Sequence, residues 1–425
     1  MYKSSMYNNY INEEGKIYCY NSYSKARVRI DDRSAIDTLV EIANSSESMS
    51  EEQSSNFDML LKNGFVISAE YDESAMLKYK FVKNYFASDK LGLILLPTMK
   101  CNFACPYCFE RPSVKEISSE NPNFFNAVNQ FILKNSKSYN HVHLNFFGGE
   151  PLLMKDGIID FSKSFINNMD NAGIPYNSSI VTNGSLIDTE VLDTLNSLNC
   201  RLLQITLDGS EEQHNRTRKF ANGLPSFELL ISKIQEIAAY INDKEGFRLL
   251  VRFNLNSTLL SDVQSTLERI DASCRHNIQL LFRPVFNTQQ YTVKNKNSYD
   301  ELDEFNKLGK SLGYVIYKNK RLFSSCEACG DMNFFHVLPD LSIWKCINDL
   351  TYTDAKIGQL HEDGSVEWYA NKIHKWFGYA DFLSDEKCRK CSYAPDCLGG
   401  CIRNYAISGK RVCSSFNALS SAFKY

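Results

Sequence analysis

The sequence predicts an α/β protein built on an open, partial (β/α)6 TIM-like barrel. A small α+β module precedes the barrel and a loop-rich, cysteine-dense segment follows it. Three observations carry this prediction. From residue 91 to about 316, six short β-rich apolar runs alternate with amphipathic helical stretches. Residues 1–88 lack that alternation, and eight of the 14 cysteines crowd between positions 326 and 413.

In the first module (1–88), KIYCYNSYSKARVRI reads as β structure and SAIDTLVEIANSS as a helix. A second helix, SSNFDMLLKNG, leads into the strand-like FVIS, and ESAMLKYKFVKNYFA reads as a linking helix. The module concentrates no catalytic residue types, so a structural cap and a peptide-docking module both fit it. In the central region (89–316) the strands are LGLILLPT, HVHLNFFGG, SSIVTNG, RLLQITLDG, RLLVRFNLN and IQLLFRPVF. Helical patterns such as FFNAVNQFILKN, VLDTLNSLN, FELLISKIQEIAAYI and DVQSTLERIDA lie between them. This order fits a parallel sheet with crossover helices, and a doubly wound sheet shares the pattern. Each run ends in polar or glycine residues, where parallel barrels place their chemistry. The last region (317–425) has too little apolar periodicity to fold on burial alone, so bound metal would supply part of its stability.

A formal net charge of −3 and the absence of a basic stripe argue against a nucleic-acid partner. The opening MYKSSMYNNYINEEGK has no apolar core for a signal peptide. No window approaches the roughly 18 apolar residues of a membrane span. The expectation is a cytoplasmic protein without a membrane partner. Disulfides rarely persist in that compartment, and the cysteines cluster at 101–108, 326–346 and 388–413. Such clustering argues for metal or iron–sulfur ligation. Cys19, Cys200 and Cys274 stand alone and read as packing residues. His141 and His143 share one strand face and read as ordinary strand residues.

The first strand runs directly into CNFACPYC, with Cys101, Cys105 and Cys108 on one loop. Three closely spaced thiolates can hold three irons of a cubane cluster and leave the fourth iron for an outside ligand. At the second strand end stand Gly148, Gly149, Glu150 and Pro151. Glycines let backbone approach a ligand closely, and a carboxylate accepts from an ammonium. The third strand ends in Thr182, Asn183 and Gly184. On the fourth, alternation puts Gln204, Thr206 and Asp208 on one face, and QHNRTRKF follows with His214 and Arg218.

These motifs, in this order and at successive strand ends, resemble those of the radical SAM enzymes. The resemblance implies a [4Fe–4S] cluster on Cys101, Cys105 and Cys108, with Tyr107 as the signature aromatic. It implies that S-adenosylmethionine binds the open iron through its amino and carboxylate groups. Gly148, Gly149, Glu150 and Pro151 would hold the amino group, Thr206 would lie near the carboxylate, and Thr182, Asn183 and Arg218 would complete the cofactor site. An electron from an external reductant of flavodoxin or ferredoxin type would then cleave the sulfonium to a 5′-deoxyadenosyl radical.

The later cysteines read Cys388-x2-Cys391-x5-Cys397-x3-Cys401-x11-Cys413, with Cys326, Cys329 and Cys346 upstream. Eight thiolates complete two four-cysteine sites, and C-x2-C pairs suit zinc as well as iron–sulfur clusters. The spacing resembles the SPASM extension of radical SAM peptide-modifying enzymes. That resemblance implies two auxiliary [4Fe–4S] clusters. One would take Cys326, Cys329, Cys346 and Cys401; the other would take Cys388, Cys391, Cys397 and Cys413. One departure stands out: Leu341 replaces the family's glycine five residues before Cys346, which predicts a changed turn there.

SPASM-bearing enzymes mostly modify peptides, so the resemblance implies a maturase of a ribosomally made precursor that installs a thioether, carbon–carbon or related crosslink. The first module would then be a winged-helix-like leader-binding module, taking the leader as an added strand. An anaerobic sulfatase-maturating enzyme is the alternative. That group carries an aspartate immediately after the cysteine matching Cys346, where this chain has Ile347 and, further on, Asp349. A non-catalytic, cluster-bearing peptide scaffold is the alternative of another class. Asp349 and Asp208 are candidate bases by position alone.

Overall fold

The computed structural model describes residues 1–13, 15–86, 89–110, 120–285, 301–317, 331–348, 350, 352–411 and 413. They form two compact units. One comprises Met1–Ala87, Asn319–Met332 and Lys375–Tyr425; the other comprises Ser88–Lys318 and Asn333–His374. The C-terminal region read from the sequence as one segment (317–425) is therefore divided between them.

In the first unit, β1 (Tyr2–Ser4) precedes an antiparallel sheet of β2 (Asn8–Glu13), β3 (Lys16–Asn21) and β4 (Arg27–Ile30). Helices α1 (Ala35–Asn44) and α2 (Glu51–Lys62) follow, then β5 (Val66–Ser68), which pairs with β1, and α3 (Glu73–Phe86). A capping box between Ser50 and Gln53 satisfies orphan backbone donors and starts α2. Cys19, Ile36, Val40, Phe57, Leu60, Phe65 and Val66 pack together as the module's core, so Cys19 is a packing residue. Strands β1 and β2 were not apparent from YKS and NNYINE, whose apolar content is too low to mark a strand.

The second half of this unit bonds to β2 and β3. Asn9 Nδ2 donates to the Ser392 carbonyl at 3.2 Å, and the Ser22 hydroxyl donates to the same oxygen. Tyr20 donates its hydroxyl to Asp396 at 3.4 Å, and Lys25 forms an ion pair with that carboxylate.

In the second unit, β6 (Lys90–Leu95), β7 (His141–Phe146), β8 (Tyr176–Thr182), β9 (Cys200–Leu207), β10 (Leu249–Leu255) and β11 (Ile278–Pro284) lie side by side and parallel. The helices between them are α4 (Phe124–Lys134), α5 (Lys155–Ala172), α6 (Thr189–Ser197), α7 (Glu211–Thr217), α8 (Phe227–Tyr240) and α9 (Leu260–Glu268). The chain then adds α10 (Glu301–Ser311) and β12 (Val315–Ile316), which extends the β11 edge. This is the expected six-unit partial barrel.

On the other edge, β13 (Phe334–Val337) pairs in parallel with β6. Strands β14 (Ser342–Trp344), β15 (Lys356–Leu360) and β16 (Val366–Trp368) continue antiparallel, giving one open sheet of 11 strands. These backbone bonds explain why residues 333–374 belong with the barrel. Period-two alternation sorts the strand faces. Leu203, Ile205, Leu207, Leu249, Val251 and Phe253 are fully buried in the helix-packed core, whereas Gln204, Thr206, Arg252 and Asn254 occupy the other face.

A changed turn is what the sequence predicts at Leu341. Leu341 itself adopts the left-handed backbone, with φ +63°, and its N–H donates to the Leu338 carbonyl at 2.8 Å. Its side chain is buried in the core, which offsets the roughly 1 kcal/mol of strain this conformation costs a residue with a Cβ. Among the described residues, no helix is long and apolar enough to cross a membrane.

Candidate active site

The cysteine loop leaves β6 and is stitched down at both ends. The N–H groups of Gly149 and Glu150 donate to the carbonyls of Thr98 and Lys100 at 3.2 and 2.8 Å. A Cβ on Gly148 would lie 2.6 Å from the Thr98 oxygen, and one on Gly149 would lie 2.1 Å from that of Lys100. The sequence predicted that these glycines admit a ligand; what they visibly admit is the backbone that leads into Cys101. Further along, Ala104 N–H donates to Lys219 O at 3.0 Å and Ala221 N–H to Asn102 O at 2.7 Å. The segment after Arg218 thereby braces the loop.

Glu150 lies at the centre of this bracing and is fully buried. Its Oε1 accepts from Leu152 N–H at 3.0 Å and Thr182 Oγ1 at 2.7 Å, while Oε2 accepts from Asn183 N–H at 2.7 Å. Burial pushes this carboxyl above the usual range and the hydrogen bonds oppose that shift. Glu150 thus clamps the second strand end to the third. Pro151 follows in the short turn that Glu150 caps. Asn183 extends the clamp to the cysteine loop, donating to Asn102 Oδ1 at 2.7 Å and to Cys101 Sγ at 3.9 Å.

A second polar cluster forms around Tyr107. Its hydroxyl donates to Asp208 Oδ2 at 2.6 Å and accepts from Arg218 Nη1 and Asn254 Nδ2, each at 3.3 Å. Thr217 donates to the same Asp208 oxygen at 2.7 Å. Burial, reinforced by the Asp208 carboxylate, pushes the Tyr107 phenol well above its ordinary range, so it remains a donor. Burial also raises Asp208, against the pull of Arg218. For Arg218, burial works to lower the pKa, but Tyr107, Cys105 and Asp208 outweigh it and keep the guanidinium charged.

His214 is scaffold to this cluster. Its Nδ1 accepts from Asp208 N–H at 3.3 Å, which leaves the proton on Nε2, 3.1 Å from Ser226 Oγ. Ser226 in turn donates to the Arg218 carbonyl at 2.6 Å. Burial, helped by Arg218, holds His214 well below the usual imidazole range and therefore neutral. Sequence reasoning missed Asn102, Thr217, Ser226, Arg252 and Asn254. The alternation that singled out Thr206 and Asp208 on β9 would have found Arg252 and Asn254 on β10.

The donor set fits the expected groups. Asp208 Oδ1 and Arg218 Nε are both buried without a hydrogen-bond partner, beside the Tyr107 hydroxyl. An acceptor and a cationic donor left open together suit a ligand bearing both an ammonium and a carboxylate, as S-adenosylmethionine does. Among the described residues, no three cysteine, histidine or carboxylate side chains converge tightly enough for a single metal ion. A cubane needs its thiolates farther apart, because each meets a different iron.

The later cysteines are less completely described. Cys326, Cys329 and Asp349 lie outside the described residues, while Cys346 and Ile347 are buried beyond β14. Asp385 caps the short helix that carries Cys388, accepting from its N–H at 3.2 Å. Cys391 and Cys397 both lie close enough to Cys388 to act on its thiol. Cys401 and Cys413 are exposed. Of the solitary cysteines, Cys200 is buried in the barrel core and Cys274 packs against it. His143 contacts Asn177 and Ser179, as an ordinary strand residue does.

Comparison with known proteins agrees with this geometry. Residues 95–258 match the family model described as the radical SAM superfamily. The radical SAM cyclopropyl synthase TigE of Paramaledivibacter caminithermalis is 30% identical over 335 residues, covering 72% of this chain and 67% of TigE. A cysteine-type anaerobic sulfatase-maturating enzyme of Clostridium novyi is 26% identical over 351 residues, covering 74% of this chain and 88% of that protein. Among solved structures, Streptococcus suis SuiB shares the fold at a TM-score of 0.52 and 13% identity, over 96% of this chain and 97% of its own. The structure of anSMEcpe with bound AdoMet does so at a TM-score of 0.56 and 20% identity, over 79% and 96%. The match spans the strand ends that carry CNFACPYC, GGEP and TNG, and the chain is an enzyme belonging to the radical SAM superfamily.

Proposed function

We propose that this enzyme is a peptide maturase that removes hydrogen from a residue of a ribosomally made precursor and installs a thioether, carbon–carbon or related crosslink. The observation that carries this reading is the N-terminal module ahead of the barrel. The likeness to SuiB runs through that module, and SuiB has been solved bound to its precursor peptide SuiA. Strands β2 and β4 are the edges of the module's sheet. The side chain of Asn9 on β2 reaches the Ser392 carbonyl, which sets the cysteine-rich segment beside that strand, and the leader is assigned to β4 as an added strand.

When bound, the cluster and S-adenosylmethionine supply a 5′-deoxyadenosyl radical after one-electron reduction by a flavodoxin or ferredoxin. The chain's own residues set the geometry. Cys101, Cys105 and Cys108 would hold the cluster, Glu150 fixes the loops on either side of it, and Tyr107 joins the cysteine loop to Asp208. Arg218 Nε is open to the methionine carboxylate, with Thr206 on the neighbouring strand face, and Asp208 Oδ1 is open to a cationic group. Two auxiliary clusters would be held by Cys326, Cys329, Cys346 and Cys401 and by Cys388, Cys391, Cys397 and Cys413, and they would accept the electron left after bond formation or bind a substrate thiolate.

Co-expression with a short precursor peptide, sought among the genes beside this one, tests the reading. Mass spectrometry should show a peptide lighter by a pair of hydrogens, with 5′-deoxyadenosine formed alongside. The Clostridium relatives favour a second reading, sulfatase maturation, which predicts formylglycine in a sulfatase-derived peptide instead. Ile347 in place of the expected aspartate counts against it. A non-catalytic scaffold would form no 5′-deoxyadenosine.

A further inference from the structure

One cation in the cysteine-rich segment has hydrogen-bond donors with nothing to meet. Arg411 stands just before Cys413, and its guanidinium is held from two sides. Nη2 donates to the Tyr379 carbonyl at 2.7 Å, and the Tyr405 ring centroid lies 3.9 Å from the guanidinium carbon. The other two nitrogens, Nε and Nη1, are buried, and neither has a hydrogen-bond partner among the described residues. A charged donor left unmade in the interior is costly, so two on one side chain point to a partner that arrives later.

The surroundings say what that partner is. Burial pushes the Arg411 guanidinium down, and Cys388 opposes the shift more than any carboxylate does. The carboxylates that act on it, Asp385 and Asp381, are engaged elsewhere. Asp385 Oδ1 accepts from the N–H groups of Lys387 and Cys388 at 2.9 and 3.2 Å, and Asp381 pairs with Lys78 at 3.3 Å. Arg411 acts in return on the Cys388 thiol, which burial and Asp385 push up and Arg411 pulls back. On the other side, a Cβ on Gly399 would lie 3.2 Å from Nη1. That glycine stands between Cys397 and Cys401, so the open N–H groups lie among sulfur ligands.

We propose that Arg411 donates from Nε and Nη1 to sulfurs of the auxiliary cluster on Cys388, Cys391, Cys397 and Cys413, and so raises that cluster's reduction potential. N–H bonds and positive charge at the sulfurs favour the reduced, more negative state. A cluster closed by four cysteines offers no iron to a substrate, so its potential is what the chain can tune. The inference rests on the auxiliary-cluster reading, and not on which bond the enzyme forms.

EPR-monitored redox titration of the reconstituted holoenzyme tests it, with iron content measured first. Arg411→Met removes the donors and the charge, whereas Arg411→Lys keeps the charge without the planar fork. In Arg411→Met the equilibrium constant for reducing the cluster that Cys391→Ala abolishes should fall about tenfold, or about 59 mV for one electron, with Arg411→Lys between it and wild type. An unchanged potential in both variants, with about twelve irons retained, overturns the role of Arg411 alone. Arg411→Lys at the wild-type potential would leave charge as the cause and overturn the hydrogen bonds. An equal shift of every cluster would mark a general change of charge and overturn them too. About four irons in the wild type would sink the auxiliary clusters themselves, and the partner of Arg411 with them. Where a variant cannot hold the cluster, the native arginine decides. With its guanidinium nitrogens isotopically labelled, pulsed EPR should show their coupling to the reduced cluster, and the coupling should vanish in Cys391→Ala. No coupling in the wild type overturns the contact.

Discussion

Tyr107 shows how much one oxygen can organise. Its hydroxyl meets Asp208, Arg218 and Asn254, three residues from different segments, while its backbone lies between Cys105 and Cys108. Tyr107→Phe keeps the ring and removes those bonds, leaving buried partners under-satisfied. It should lower stability by about 1–3 kcal/mol and weaken S-adenosylmethionine binding in equilibrium dialysis, while the iron content stays unchanged. Leu341 is the opposite case, a residue whose backbone is strained and whose side chain is well packed. Substitution by alanine loses most of the burial and keeps the strain, whereas glycine loses the burial and releases it. Urea unfolding should therefore rank wild type above Leu341→Gly, and Leu341→Gly above Leu341→Ala by about 1 kcal/mol. Alanine equal to glycine would mean that the left-handed turn carries no strain.

At the scale of elements, the barrel strands were legible because each carries an apolar face and ends in residues that cannot continue it. Leu91, Leu93 and Leu95 in β6, and Leu249, Val251 and Phe253 in β10, spell out a buried face by alternation. The cysteine, GGEP and TNG loops were legible because their residue types are rare together. The pairing of β13 with β6 was not, since no local pattern records a bond between segments about 240 residues apart. Nor was the tie between the N-terminal sheet and the cysteine-rich segment, which rests on Asn9, Tyr20, Ser22 and Lys25. That tie can be tested through Asp396, which is buried and held above the usual carboxylate range by its burial, with Lys25 opposing. Lys25→Ala should lower stability by about 1 kcal/mol, since half of the Lys25 side chain faces solvent. The deficit should be present above the Asp396 pKa, where the carboxylate is ionised, and should vanish as pH falls through that value. A deficit independent of pH would show that the ion pair is not its source.

For the whole molecule, the eleven cysteines in the three motifs imply about twelve irons per chain, as three cubanes. The sites should fail separately. Cys105→Ala should bring the iron content to about eight and abolish 5′-deoxyadenosine formation. Cys391→Ala should also bring it to about eight, yet S-adenosylmethionine should still be cleaved. The N-terminal module belongs to this accounting. Its Asn9 and Ser22 hold the Ser392 carbonyl, and its Tyr20 and Lys25 hold Asp396, within the loop that carries Cys391 and Cys397. Removing residues 1–86 would leave that carbonyl and that buried carboxylate without these partners, a destabilisation of several kcal/mol for the loop. The truncated enzyme should therefore lose leader binding and about four irons together, while 5′-deoxyadenosine formation persists. Loss of leader binding with all twelve irons retained would show that the module only docks peptide, and that the cysteine-rich segment holds its shape unaided.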